Sequence, residues 1–72
     1  MKVRTELKAY RAARGWTQAE LAERVGVSRK TINTVENGIF TPSVALALLL
    51  ADCLEATVED LFQIVPEAIG PA

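Results

Sequence analysis

Residues 17–38 read TQAELAERVGVSRKTINTVENG, and their capping signals predict two short helices joined by a tight turn. Thr17 and Glu20 have the spacing of a capping box, in which the side chain of each accepts from the backbone of the other. Gly26 supplies the left-handed residue that ends the first helix. Ser28 caps the second, which runs to residue 36 or 37 before a closing glycine. Two helices around such a turn are typical of a helix-turn-helix, a motif that presents its second helix outward.

Three further helices are predicted around this motif. A first helix covers ELKAYRAAR, with Thr5 as its N-cap and Gly15 as the left-handed residue after its end. Ser43 caps a fourth helix over residues 44–54, and a short fifth helix covers residues 57–62. The sequence therefore predicts an all-α fold, a compact five-helix bundle around the central helix-turn-helix.

The two ends of the chain predict a small ribbon and a tail. Residues 62–65 are apolar enough to form a short strand, and residues 2–4 are its only plausible partner. A two-stranded ribbon is marginal alone, so it depends on packing against the helices. Two prolines and a glycine argue against a helix at the C-terminus. We therefore predict one domain over residues 1–66 and a flexible tail over residues 67–72.

Composition argues against several classes of function. The chain has no histidine, a single cysteine and no phosphate loop, so neither a catalytic constellation nor a zinc site is apparent. We accordingly expect no enzyme activity, no metal and no cofactor. The longest apolar run, residues 44–51, is too short to cross a bilayer. The lone Cys53 cannot form an internal disulfide, which fits a reducing, cytoplasmic location.

Charge is unevenly distributed along the chain. All eight lysines and arginines lie in residues 1–30, which carry a formal net charge of +5, whereas residues 31–72 carry −6. This asymmetry favours a polyanionic partner on one face. The pI of 5.3 is low for a DNA-binding protein, so the alternative of chance segregation stays open.

The start of the second motif helix carries two cations, Arg29 and Lys30. Cations at a helix N-terminus oppose the helix dipole and therefore add no intrinsic stability. The same terminus attracts phosphate, and an arginine can bridge the O6 and N7 atoms of guanine. We therefore predict that Arg29 and Lys30 contact DNA, with two solvated surface charges as the alternative.

The fourth predicted helix reads VALALLLADCL and is apolar on nearly every side. Such a helix should be buried all round, which a chain of 72 residues cannot easily achieve. We therefore predict a homodimer interface at Phe40, Val44, Leu48 and Leu49. The alternative is a core large enough to bury most of this helix, with mainly its alanines at the surface.

Over residues 5–62 the sequence resembles the phage repressor/Cro-type (XRE-like) helix-turn-helix family. The resemblance is carried by Gln18-Ala19, Gly26-Val27-Ser28, Glu36-Asn37-Gly38 and Pro42-Ser43. The small stand-alone regulators of the cytolysin-repressor type look closest, because they share VSRxTIN and EDxFQ. Those regulators are homodimers with a small terminal β-ribbon, which the resemblance also implies here.

The resemblance implies roles for individual residues. Those that the resemblance places at DNA are Gln18, Ser28, Arg29, Lys30, Asn33, Thr34 and Asn37, and Thr31 is added as a DNA-binding candidate from its place on the third helix. Among them, Gln18 would bind a phosphate, while Arg29, Lys30 and Thr34 would meet base edges. Asn37 and the amides that follow it would hold the DNA backbone. Arg11 and Glu36 match a structural ion pair between the first and third helices.

Several of these roles have plain alternatives. Gln18 could be a neutral surface residue, Asn33 could reach a base, reach the backbone or be solvated, and Asn37 could simply precede a glycine cap. Thr31 faces either the second helix or a phosphate. The chain also departs from the family pattern at Ile39-Phe40, where a basic residue often contacts phosphate.

Taken together, these features predict a sequence-specific DNA-binding transcription regulator. We expect a homodimeric repressor that binds double-stranded DNA at an inverted repeat, with its third helix in the major groove. The alternative is an antitoxin or protein-interaction module that binds a protein partner through the apolar face of the fourth helix. No membrane partner is expected.

Overall fold

Five short helices and a two-stranded ribbon make up residues 2–66, the part of the chain that the computed structural model describes. The tail predicted for residues 67–72 lies outside the described residues. The elements follow in this order: β1 (Lys2–Thr5), α1 (Leu7–Ala13), α2 (Gln18–Val25), α3 (Arg29–Glu36), α4 (Val44–Leu54), α5 (Val58–Leu61) and β2 (Phe62–Val65). This architecture confirms the predicted helical bundle with a small terminal ribbon.

The predicted caps of the helix-turn-helix are present. The Glu20 N–H donates to Thr17 Oγ1 at 3.0 Å, and the Thr17 N–H donates to Glu20 Oε1 at 3.0 Å. Hydrogen bonds from the backbone N–H and the side chain of Thr17 to the Glu20 carboxyl hold the pKa of that carboxyl below its ordinary value. Gly26 ends α2 with φ +76°, and Ser28 Oγ accepts the Thr31 N–H at 3.1 Å to begin α3. The turn between α2 and α3 is therefore fixed by local chemistry.

The beginning of α1 differs from the prediction, because Thr5 is not its N-cap. Thr5 belongs to β1, and its extended backbone pairs with Phe62 of β2. Glu6 takes the N-cap position without a side-chain hydrogen bond, and its N–H donates to the Leu61 carbonyl at 2.8 Å. Strand pairing thus moves Thr5 out of the N-cap position, although Thr5 Oγ1 still accepts the Leu7 N–H at 3.1 Å.

The two strands run antiparallel, with Lys2 opposite Val65 and Thr5 opposite Phe62. Helix α5 ends at Leu61, one residue before the predicted end, because Phe62 turns to an extended conformation at φ −135°. The ribbon therefore joins the two ends of the domain.

The core is built by every helix of the bundle. Each helix contributes one leucine or isoleucine with no solvent exposure: Leu7, Leu21, Ile32, Leu50 and Leu61. Ala22 of α2 is also buried and belongs to the same cluster as Ile32 of α3. A small side chain there suits close packing of the two motif helices. This core leaves the opposite side of α3 facing solvent.

Candidate nucleic-acid interface

Helix α3 has one buried side and one exposed side. Ile32 and Val35 are buried in the core, while Arg29, Lys30 and Asn33 are exposed and Thr34 is half-buried. The spacing of the buried pair explains this, since residues three apart lie on the same face of a helix. The polar residues predicted at the DNA are thus together on the outer side.

The start of α3 has no salt-bridge partner among the acidic side chains of the described residues. Within residues 2–66, neither Arg29 nor Lys30 forms a salt bridge. The hydroxyl groups of Ser28 and Thr31 form a hydrogen bond with each other, with their oxygens 2.9 Å apart. The Thr34 hydroxyl donates to the Thr31 carbonyl at 2.9 Å, which uses its hydrogen within the helix. The two cations therefore remain available for an anionic partner.

Arg11 of α1 and Glu36 of α3 form a bidentate ion pair. Arg11 Nε lies 2.6 Å from Glu36 Oε2, and Arg11 Nη2 lies 3.1 Å from Glu36 Oε1. The carboxylate side chain is only 2 % exposed. Its hydrogen bonds to Arg11 raise the pKa of the guanidinium further. Arg11 also donates from Nη1 to the Trp16 carbonyl at 2.7 Å, so the pair is satisfied on both sides.

A chain of amide side chains extends this ion pair to the surface of α3. Gln18 Nε2 donates to Glu36 Oε1 at 3.0 Å, and Asn33 Nδ2 donates to Gln18 Oε1 at 3.4 Å. Asn37 Nδ2 in turn donates to the Asn33 carbonyl at 2.9 Å. Three of the predicted DNA contacts are therefore positioned by one network that begins at Arg11. The link from Gln18 to Glu36 was not predicted, since sequence spacing does not show which residues meet between helices.

The backbone after α3 corrects one expectation. The N–H groups of Gly38, Ile39 and Phe40 all donate to carbonyls of α3, namely those of Val35 and Thr34, at 3.0 to 3.2 Å. These three amides are already used, so they are not free to hold a DNA phosphate as the resemblance implied. Of that segment, the exposed side chain of Asn37 stays a predicted DNA contact.

The residues predicted at a dimer interface are all exposed. Val44 is 77 % exposed, Leu48 57 %, Leu49 51 % and Phe40 48 %. The buried residues of α4 lie between them, so the helix has a covered side and an uncovered apolar side.

The ribbon adds two residues to this apolar surface that were missed in the sequence. Val3 and Ile64 lie opposite each other on β1 and β2, and both are exposed. Together with Val44 and Ala47 they line a groove of about 210 Å³ between the ribbon and α4. The period-two alternation of KVRT and FQIV is the signal that could have placed them on one face. We call Val3, Val44, Leu48, Leu49 and Ile64 the α4–ribbon surface.

Comparison with known proteins bears directly on this geometry. The model of the helix-turn-helix family HTH_3 matches residues 7–61, which include all five helices. The chain belongs to this family of Cro/C1-type regulators. Within residues 2–66, the helices are too short or too polar to span a membrane.

Relatives and solved structures of this family agree with the assignment. An uncharacterized HTH-type transcriptional regulator of Archaeoglobus fulgidus is 47 % identical over 60 residues, which cover 83 % of this chain and 86 % of the relative. The cryptic phage CTXphi transcriptional repressor RstR of Vibrio cholerae is 31 % identical, over 85 % of this chain and 54 % of its own length. The biofilm regulator SinR, solved in complex with DNA, is 28 % identical with a TM-score of 0.68, over 74 % of this chain and 86 % of SinR. The protein is therefore a transcription regulator with a DNA-binding helix-turn-helix domain.

Proposed function

We propose that the protein is a homodimeric repressor that reads an inverted repeat with α3 in the major groove. The observation that carries this proposal is the unneutralised pair Arg29–Lys30 on the exposed side of a helix whose position is fixed by the Arg11–Glu36 pair. An outward helix with free cations and a fixed orientation is the arrangement that a helix-turn-helix needs to read base edges.

Base reading is assigned to the exposed side of α3. Arg29 has the length and the two parallel donors to bridge O6 and N7 of a guanine. Lys30 supplies a second cation one residue on. Thr34 keeps its methyl group for apolar contact, because its hydroxyl hydrogen is used within the helix. Asn33 contributes an exposed amide, which is suited to adenine.

Phosphate contacts are assigned to residues beside this reading surface. Gln18 keeps one amide hydrogen after it donates to Glu36, and it lies at the positive end of α2. Asn37 lies at the C-cap of α3, with its exposed amide held by Asn33. Ser28 and Thr31 share one hydroxyl contact, which leaves one hydroxyl hydrogen for a phosphate oxygen. These contacts would set the register of the protein on DNA without specifying sequence.

The dimer is assigned to a second copy packed on the α4–ribbon surface. Exposed apolar side chains on the outer side of α4 continue onto the ribbon through Val44, Val3 and Ile64. Continuous apolar patches of this kind mark interaction sites. Binding to successive major grooves requires a two-fold axis that sets the two copies of α3 about 34–36 Å apart. Repression would then be steric, because the bound dimer excludes polymerase from the promoter.

The test is selection of duplexes from a random library with the purified protein at low and moderate salt. We expect an inverted repeat with half-sites about one helical turn apart, and affinity that falls steeply with salt. The variant Arg29→Ala with Lys30→Ala is the matched control and should select no site. If the folded wild-type protein recovers nothing above background, the proposal is wrong. The alternative of a protein-interaction module would then predict a protein partner bound on the apolar face of α4.

A further inference from the structure

An exposed isoleucine follows α3, beside the polar residues on the outer side of that helix. Ile39 is 77 % exposed. Exposure of an isoleucine side chain to water has an unfavourable free energy, which grows with the apolar area exposed. A partner that covered this side chain would gain the free energy of burying its apolar surface.

The position of Ile39 is fixed by its backbone rather than left to a free loop. Gly38 adopts φ +72°, which turns the chain sharply at the end of α3. The N–H groups of Ile39 and Phe40 then both donate to the Thr34 carbonyl, at 3.0 and 3.2 Å. The turn therefore holds Ile39 against the last residues of α3.

Phe40, the next residue in this turn, packs toward the body of the domain. It lines a small cavity together with Val35 of α3 and Phe62 of β2, so its ring lies between the loop and the ribbon. Phe40 is half-covered, whereas Ile39 is largely uncovered. Of the two neighbouring apolar residues, one anchors the loop and the other is presented to solvent.

Ile39 shares a groove with residues that the proposed function places at DNA. Lys30, Thr31, Thr34, Ile39 and Phe40 line this groove, which has a volume of about 330 Å³. The surface around Ile39 is therefore continuous with the outer side of α3. In the major groove, the only apolar feature that a base pair presents is the C5-methyl group of thymine.

We propose that Ile39 and the methyl group of Thr34 form an apolar pocket for the C5-methyl group of one thymine in each half-site. Ile39 is thereby a specificity-determining residue that separates T·A from C·G at that position. The inference rests on the proposed function, because it requires α3 in the major groove. A phosphate contact is excluded for the side chain itself, which has no donor.

The test uses the duplex recovered by selection and replaces each thymine by deoxyuracil in turn. This change removes only the methyl group and keeps the pairing edge. For the wild-type protein, one replacement in each half-site should weaken binding about fourfold, the effect of one buried methyl group. For Ile39→Ala, the same replacement should have an effect of less than twofold, while replacements elsewhere keep their wild-type effect.

A second variant separates apolar reading from general affinity. Ile39→Lys should also lose the response to deoxyuracil, while its affinity becomes more dependent on salt because a phosphate contact is added. Equal responses of wild type and Ile39→Ala at every thymine would overturn the inference, as would a selected half-site without thymine. Either result leaves the proposed function standing, whereas failure of the wild type to select any duplex refutes the proposed function itself.

Discussion

Arg11 and Glu36 join α1 to the end of α3 through two hydrogen bonds, of 2.6 and 3.1 Å. Because Gln18 of α2 donates to the same carboxylate at 3.0 Å, Glu36 is the point where three helices meet. A buried pair of this kind fixes orientation more than it adds stability. The orientation of α3, and with it that of its exposed side, is thus fixed by one ion pair on its inner side.

Removal of one partner of this pair should be costly. Glu36→Gln leaves the Arg11 guanidinium largely buried without its charge partner, and we expect a loss of about 3–5 kcal/mol in the free energy of unfolding. Urea unfolding followed by circular dichroism measures it. The exposed pair Arg4–Glu6 is the control, and Glu6→Gln should change stability by less than about 1 kcal/mol. Similar losses for the two variants would contradict the assigned role of Glu36.

The capping box should make part of the stability depend on acid. Hydrogen bonds from Thr17 lower the pKa of Glu20 from its ordinary value of 4.5. The contribution is therefore complete above that pH and is lost as the pH falls through the lower folded-state pKa. Glu20→Gln keeps the cap geometry but cannot titrate, so its stability should fall less between pH 6 and pH 3. Parallel acid profiles for the two proteins would show that Glu20 carries no such linkage.

The end of α4 holds backbone strain at Glu55. This residue adopts φ +53° and ψ +44°, a left-handed conformation that disfavours a residue with a side chain. Glu55→Gly and Glu55→Ala both lose the hydrogen bond from Arg14, so their difference reports the backbone alone. We expect the glycine variant to be more stable than the alanine variant by about 1 kcal/mol in urea unfolding. Equal stability of the pair would mean that the conformation carries no strain.

A charge on the α4–ribbon surface should separate the two copies of the proposed dimer. Leu48 is exposed in the single chain, so Leu48→Glu should fold normally but sediment as a monomer, because it would bury a carboxylate at the interface. Ala12→Glu places the same charge on an exposed position of α1 and should remain dimeric. A wild-type protein that sediments as a monomer at tens of micromolar would remove the basis for this interface.

Local signals in the sequence predicted the helix boundaries well. Thr17, Ser28 and Ser43 each cap the helix expected of them, because an N-cap depends on residues within one turn. The ribbon pairing was also predicted, since few apolar segments were left at the two ends. Thr5 was placed wrongly because pairing with a distant strand decided its conformation.

Contacts between helices were harder to predict. The Gln18–Glu36 hydrogen bond joins residues 18 apart, and only the crossing of α2 and α3 brings them together. The engaged amides of residues 38–40 depend on the left-handed turn at Gly38. The end of α4 at Leu54 combines the left-handed C-cap at Glu55 with a distant contact, because the Arg14 guanidinium donates to the Leu54 carbonyl at 2.9 Å. Such features require the three-dimensional arrangement of elements.

The central claim is that the exposed side of α3 reads bases, and Arg29 offers the most direct test. Binding of wild type and Arg29→Ala is measured by fluorescence anisotropy on the selected duplex, with each base pair of the half-site changed in turn. We expect one guanine whose replacement costs the wild type about 1–3 kcal/mol and costs Arg29→Ala almost nothing. Lys8→Ala, an exposed change on α1, should keep the wild-type pattern. If Arg29→Ala binds more weakly but responds like wild type at every base pair, α3 does not read sequence through Arg29, and the account is contradicted.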